Sequence, residues 1–384
     1  MKKYLFVHGR DPELSLLELI SYFKKKGIQF KLETYDKIIS IFSLIELDFK
    51  AVMNDLGGTV KIAEIISDTK NIEEVEYNLN NNLKYEDNEK IKFGISSYGT
   101  DLLPFVEGYI KNRFKRECIR GIYKKPQRKF TRKLMPSKLV GILSAGFELV
   151  LYKEYIAKTI AVFDPNGYKK RDLGRPKKDY MRAISIRLAK IMINLSQARE
   201  GGLLLDPFCG YGTVLQEALL MGVNVIGVDI EKESIKASEE NLEWLKKNYE
   251  FNKDFRLING DSRGLSKLLK SEVDAVVTEP YLGPYIKKLP TVEEAKTFSN
   301  KLNELYYGVI KEIGLILKKD GIVVIIVPVF KTLQRKNIST SFEDILNKTG
   351  FKVYTPFEGI SVPILYSTEE SKIVREIYIL VKAN

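Results

Sequence analysis

The stretch LLLDPFCGYGT, residues 203–213, decides the fold. Three leucines make a short buried strand and Asp206 stands at its end. Gly210 and Gly212 permit a tight turn with close backbone approach, and Thr213 opens a helix whose first amides can face a ligand. Strand, glycine turn and helix in that order begin a parallel α/β sheet, which binds ligands at the carboxyl ends of its strands. Downstream, apolar runs near 203–205, 223–228, 255–258, 273–277 and 321–327 alternate with amphipathic stretches. This rhythm predicts a mostly parallel sheet covered by helices on both faces. Two further runs, 351–354 and 374–381, predict a carboxyl-terminal hairpin with an antiparallel strand.

The turns after the strands are therefore where a site belongs. Asp229 closes the second strand, VNVIGVD, seventeen residues beyond Gly212, where a carboxylate accepts both hydroxyls of an adenosine ribose. A dinucleotide fingerprint would place a third glycine at position 215, but that residue is Leu215, which argues against NAD. Asp206 is placed to face an amino-acid ammonium, and Asp261, in NGD at 259–261, to accept from an adenine amino group. Three acids at successive strand tips suit a cationic nucleoside, S-adenosylmethionine. Its expected contacts are Asp206, Pro207, Phe208, Gly210, Gly212, Thr213, Asp229, Ile230, Asp261 and Ser262, with Phe208 able to hold the cation or the adenine.

With 384 residues the chain is long enough for two or three domains. Two cysteines and one histidine exclude structural zinc, iron-sulfur ligation and a disulfide scaffold. No metal is expected. His8 closes an amino-terminal strand, a structural place rather than a catalytic one. No apolar run reaches the roughly 20 residues of a membrane span, and the first apolar stretch is broken by His8 and Arg10 too early for a secretory leader. A cytoplasmic protein with no membrane association is expected.

The net charge is +12, and nearly all of it lies in one segment. Between Lys111 and Lys138 twelve Lys and Arg residues face one acid, Glu117, with Phe114, Tyr123 and Phe130 interleaved. Such a segment reads as a surface that tracks phosphates. Its expected RNA contacts are Arg113, Lys115, Arg116, Lys124, Lys125, Arg128, Lys129, Arg132 and Lys133.

Upstream, a strand (YLFVHG), a helix from Asp11-Pro12 to Gly27, a strand at 38–42 and a helix from Asp48 to Gly57-Gly58 suggest a small α+β domain. The Asn-rich stretch 71–90 reads as surface helix or insertion, followed by strands at 91–95, 140–143, 148–152 and 158–163. The charged Pro/Gly stretch 164–180 reads as a linker. The expected division is thus 1–163, a linker at 164–180, and 181–384.

In this order DPFCGYGT, VIGVD, NGD and TEPY resemble the class I methyltransferases that modify exocyclic amino groups. KRDLGRPKKD, RLAKIMINLS and LFVHGRDPELSLLEL resemble the THUMP-containing tRNA guanine-N2 methyltransferases that act at position ten. The resemblance implies a Rossmann-like domain with a mostly parallel seven-stranded sheet, preceded by an α+β ferredoxin-like and THUMP region that grips tRNA. It also implies S-adenosylmethionine as donor, tRNA as partner, and leaves room for a small activating subunit. The family's fourth-strand motif is Asp-Pro-Pro-Tyr, and here it reads Thr278-Glu279-Pro280-Tyr281. An exocyclic amine needs oxygen acceptors for its hydrogens and an aromatic ring to hold the flipped base. Pro280 and Tyr281 keep two of these roles. Either Thr278 or Glu279 takes the place of the acid. An amino-methyltransferase on another RNA or DNA base, or an RNA-binding protein on an inactive scaffold, are the alternatives.

Overall fold

The computed structural model describes residues 1–86, 89–125, 134–178, 184–368 and 370–383. They form two compact units, one of 1–12, 28–55 and 59–171, the other of 13–27, 56–58 and 172–384. The sequence reading kept everything before 164 together, yet the first helix, α1 (Pro12–Lys25), and the Gly57-Gly58 turn group with the carboxyl-terminal unit. Glu18 of α1 explains why. Its fully buried carboxylate accepts from the amides of Gly57 and Gly58, both at 2.7 Å, and from Asn194 Nδ2 at 2.8 Å. A charge taken out of water must be satisfied locally, and burial pushes the Glu18 carboxyl up from its ordinary value.

The amino-terminal unit is built on one eight-stranded sheet. Its strands are β1 (Lys2–His8), β2 (Phe30–Tyr35), β3 (Ile39–Leu44), β4 (Thr59–Asp68), β5 (Lys90–Tyr98), β6 (Arg120–Tyr123), β7 (Gly146–Tyr152) and β8 (Tyr155–Val162), in the order β2-β3-β1-β4-β8-β7-β5-β6. Helices α2 (Phe49–Asp55), α3 (Ile72–Asn82), α4 (Leu103–Arg116) and α5 (Pro136–Leu143) connect them. Residues 140–143 were expected to be a strand. They are helical because Pro136 starts the turn and Leu139 and Ile142, three apart, are the positions buried. Inside the sheet Lys61 and Glu148 form a buried ion pair at 2.7 Å, and Thr159 Oγ1 donates to the other carboxylate oxygen at 2.6 Å.

The expected linker holds a helix, α6 (Pro165–Gly174), started by Asp164, whose carboxylate accepts from the amides of Asn166 and Gly167 at 2.9 and 3.2 Å. The carboxyl-terminal unit continues with α7 (Ile186–Leu195), β9 (Leu203–Asp206), α8 (Thr213–Leu220), β10 (Asn224–Asp229), α9 (Lys232–Asn248), β11 (Phe255–Asn259), α10 (Leu265–Leu268), β12 (Val273–Thr278), α11 (Val292–Ile316), β13 (Leu317–Lys331), β14 (Asn337–Ser339), α12 (Phe342–Thr349), β15 (Phe351–Val353), β16 (Ile364–Tyr366) and β17 (Ile373–Lys382). The sheet order is β11-β10-β9-β12-β13-β17-β15, with β14 beside β13 and β16 beside β17. Pairings from β11 to β13 are parallel, and β17 runs antiparallel to β13 and β15. The order reverses direction at β9, so a crevice opens at the carboxyl ends of β9, β10 and β12. Among the described residues no helix is long and apolar enough to cross a membrane.

Candidate active site

Two of the expected acids and Thr278 stand at the tips of adjacent strands. Asp206 ends β9, Asp229 ends β10, and Thr278 ends β12, which lies beside β9 with Val276 opposite Leu205. The glycine turn between β9 and α8 is held from below. Cys209 N donates to Val228 O at 3.0 Å and Gly212 N to Cys209 O at 2.8 Å. Gly210 and Gly212 adopt φ of 49° and 81°, the left-handed region open to glycine. At Gly212 a Cβ would lie 2.5 Å from Ser238 Oγ, so close packing of the turn on α9 also demands glycine.

Asp206 is buried, and its Oδ1 accepts from Thr278 Oγ1 at 2.7 Å and Phe208 N at 3.1 Å. Burial raises its carboxyl to about 7, helped by the charges of Asp229 and Glu279 and opposed by the two hydrogen bonds. A cationic ligand would return this group to its ionised form, which is the fit an ammonium-bearing cofactor requires. Asp229 receives Gly210 N and Glu231 N, both at 2.9 Å, one on each oxygen. Beside it Ile230 is exposed, while Phe208 packs on the main core. Ser262 is buried with its hydroxyl donating to Pro207 O. Asp261 meets a partner the sequence did not announce. Arg263 pairs with its carboxylate, Nε at 3.0 Å and Nη2 at 2.5 Å, and holds it below its usual range.

In the fourth-strand motif, the two candidates for the acid separate. Thr278 has no exposed surface and its hydroxyl is turned onto Asp206. Glu279 is largely buried and receives Arg375 Nε, from β17, at 2.5 Å. Burial raises the Glu279 carboxyl and Arg375 opposes that shift. After Pro280, Tyr281 is 55% exposed, while its carbonyl accepts from the buried hydroxyl of Tyr306 at 2.8 Å. The ring is free to stack and the backbone behind it is fixed. Among the described residues no three His, Cys, Asp or Glu side chains come together in a way that could hold a metal ion.

Two positions escaped the sequence reading. Arg375 was one, since nothing in an apolar strand signals a partner 96 residues upstream. Arg175 was the other. It is buried, donates Nη1 to Thr213 Oγ1 at 2.8 Å and Nη2 to Asp172 at 3.0 Å, and leaves Nε without a partner. Asn241 of α9 fixes the same segment through Lys177 N at 2.9 Å, and reaches the glycine turn through Tyr211 O at 3.0 Å.

The basic segment lies in the amino-terminal unit. Lys115, Arg116, Lys124 and Lys125 are exposed, whereas Arg128, Lys129, Arg132 and Lys133 fall outside the described residues. Arg113 is a correction. Its guanidinium donates to Glu117 at 2.8 Å and to Leu79 O at 2.9 Å and lies over the Tyr85 ring, so it is structural. Phe114 is buried, and Tyr123 stacks on Phe93 at 4.8 Å. These two rings belong to the core, and Phe130 lies outside the described residues.

A parallel sheet of this order with one reversed strand, a glycine turn after its first strand and an acid after its second defines the fold of class I methyltransferases. Family profiles agree: one described as an RMKL-like methyltransferase domain matches residues 175–343, and one described as a DNA methylase of the N6/N4 type matches 21–240. The chain is 35% identical over 155 residues to the tRNA (guanine(10)-N2)-dimethyltransferase of Methanothermobacter thermautotrophicus, covering 40% of this chain and 41% of that one. It is 34% identical over 143 residues to a probable enzyme of the same name from Methanothermococcus thermolithotrophicus, covering 36% of this chain and 77% of that one. The crystal structure of TrmN from Thermus thermophilus superposes with a TM-score of 0.51 over 99% of both chains at 15% identity, a likeness of fold. This chain belongs to the tRNA guanine-N2 methyltransferase family. The match spans less than half the length of the Methanothermobacter relative.

Proposed function

We propose that this protein transfers a methyl group from S-adenosylmethionine to the exocyclic N2 amine of a guanine in tRNA. One observation carries the reading: the Thr278 to Asp206 hydrogen bond joins the strand tip that would bind the donor to the strand tip that would hold the acceptor. Asp206 would face the donor's ammonium, Asp229 the ribose hydroxyls, and Ile230, Asp261 and Ser262 the adenine end. The Gly210 to Thr213 turn lets the backbone approach, and Pro207 and Phe208 line the same edge. The donor supplies an electrophilic methyl carbon. The chain's part is to align the amine and keep water away. Glu279 and the backbone of the Pro280 turn would accept the amine hydrogens, Tyr281 would stack on the extruded base, and Thr278 would hold Asp206 in place.

In this reading residues 1–163 are the ferredoxin-like and THUMP region, less α1 and the Gly57-Gly58 turn. Lys115, Arg116, Lys124 and Lys125 carry the phosphate contacts, the stretch 164–180 joins it to the catalytic region, and a cytoplasmic enzyme, with or without a small activating subunit, follows from a tRNA substrate. The DNA methylase profile over 21–240 favours a second reading, an amine on a DNA base. Incubation with methyl-labelled donor and either unmodified tRNA or duplex DNA, followed by nucleoside mapping, separates the two. Labelled N2-methylguanosine supports the first; label only in DNA, or in neither, overturns it.

A further inference from the structure

We infer that the carboxyl-terminal unit carries its own RNA-gripping rim beside the Tyr281 turn, separate from the basic segment of the amino-terminal unit. The inference rests on the proposed RNA substrate and deepens it. Two segments make the rim. One is the loop 281–290, YLGPYIKKLP, and the other is the tip 331–336, KTLQRK, between β13 and β14. Neither contains an acid, and together they bring Lys287, Lys288, Arg335 and Lys336 to the surface, all exposed.

The segments are fastened to each other and to the sheet. Leu333 N donates to Pro290 O at 2.9 Å, and Lys372, just before β17, gives its Nζ to Ile286 O and Lys287 O at 3.0 and 2.7 Å. Within the tip, the buried Thr332 receives Lys336 N on its hydroxyl at 3.2 Å and donates that hydroxyl back to Lys336 O at 2.7 Å. Arg335 is held at φ 58°, a conformation that favours glycine over any side chain. The turn that imposes this conformation, closed by Arg335 N on Thr332 O at 3.0 Å, sets the Arg335 side chain at the tip.

Charge and aromatic exposure decide the occupant. Some exposed cations elsewhere pair with acids, Lys3 with Asp68, Lys31 with Glu33 and Lys318 with Asp274. Among the described residues none of the four rim cations has such a partner, so they remain available to an external anion. Between them Tyr285 is 71% exposed and Leu333 60% exposed, apolar surfaces that a small phosphate ligand would not use. Unpaired cations interleaved with exposed apolar faces are the pattern that binds a nucleic-acid strand, phosphates on the cations and a base on the ring. Because Tyr281 opens the same loop, that strand is the one flanking the target nucleotide, and Tyr285 would stack on a neighbour of the flipped base.

The test uses the full chain and an unmodified tRNA transcript, with binding measured by filter retention without donor over about 50–300 mM salt. Lys287→Glu/Lys288→Glu and Arg335→Glu/Lys336→Glu are compared with Lys246→Glu/Lys247→Glu, an equal charge change on exposed residues of α9. Each rim pair is expected to weaken binding at least tenfold at about 100 mM salt and to flatten the log-log salt slope by about 1.5 to 2. The α9 pair is expected to change affinity by less than about threefold, and donor binding, which reports folding, should match the wild type throughout. Tyr285→Ala should lose about tenfold where Tyr285→Phe loses less than about twofold. Rim variants that bind like the α9 control overturn the inference. Loss of binding in the rim variants with no methylated guanosine from the wild type leaves the rim standing and removes the proposed activity. Methylation by the wild type with rim variants unaffected does the reverse.

Discussion

Thr278 Oγ1 donates to Asp206 Oδ1 at 2.7 Å across two neighbouring parallel strands, with both side chains buried. The bond favours the ionised carboxylate while burial favours the neutral acid, and burial prevails, lifting the group to about 7. In the proposed function donor binding needs the ionised form, so affinity for S-adenosylmethionine is expected to be constant above pH 7 and to fall about tenfold per unit below it. Thr278→Val removes the bond and moves the break point upward. Calorimetric titration from about pH 5.5 to 8.5 measures both. A pH-independent affinity would separate Asp206 from the ligand.

The same shift fixes a stability effect of definite sign. Between the unfolded value near 3.9 and the folded value near 7, the folded protein binds the extra proton. The contribution of Asp206 to stability is therefore fully present below about pH 4 and is lost as pH rises through 7. Asp206→Asn should stabilise the ligand-free protein at about pH 8, by on the order of 2–4 kcal/mol, with little effect near pH 4. Thermal melts of the two proteins at both pH values check it, and equal melting temperatures at pH 8 would refute it.

Glu279 and Arg375 are coupled in a testable way. With the guanidinium in place, the raised carboxyl of Glu279 is pulled back toward ionisation. Arg375→Met leaves the carboxylate buried with no cation, so its proton is retained to higher pH. Methyl transfer by Arg375→Met is expected to drop at least tenfold near neutrality and to recover as pH rises, moving the acidic limb of the rate profile upward. Glu279→Gln should lower the rate without such recovery. Superimposable profiles for Arg375→Met and the wild type would show that Glu279 does not act as the acceptor.

Much of this site was legible because its backbone requirements are local. The Gly210 and Gly212 turn, the acids closing β9 and β10 and the Tyr281 turn are each written within a dozen residues, and the parallel sheet follows from alternating apolar and amphipathic runs. Illegible features depend on long-range partners. Arg175 reads as one more cation in a charged stretch until its guanidinium is seen buried against Thr213. Residues 140–143 read as a strand because Val, Ile and Leu dominate them, and only the tertiary demand to bury Leu139 with Ile142 makes a helix. Glu18 gave no sign that it would be buried against Gly57 and Gly58 and so move α1 into the other unit.

Arg175 is tied to the end of the glycine turn through Thr213, the first residue of α8. Arg175→Met deletes that bond and the bond to Asp172 while keeping the apolar stem. The turn loosens, and donor affinity is expected to fall about tenfold with single-turnover rate at saturating donor changed less than about threefold. An unchanged dissociation constant would confine the residue to packing.

Tyr281 divides its work between an exposed ring and a backbone carbonyl tied to Tyr306. Losing the ring in Tyr281→Ala removes the stacking surface, a change of about 1–3 kcal/mol, so methyl transfer should fall roughly 10- to 100-fold while donor affinity holds. Tyr281→Phe keeps the ring and should stay within about threefold. Tyr306→Phe attacks the other half. It leaves the carbonyl without its donor, costs on the order of 1 kcal/mol of stability and frees the turn. If position of the turn matters to the chemistry, Tyr306→Phe lowers the single-turnover rate without changing RNA affinity. If only the ring matters, its rate matches the wild type and the backbone carbonyl drops out of the mechanism.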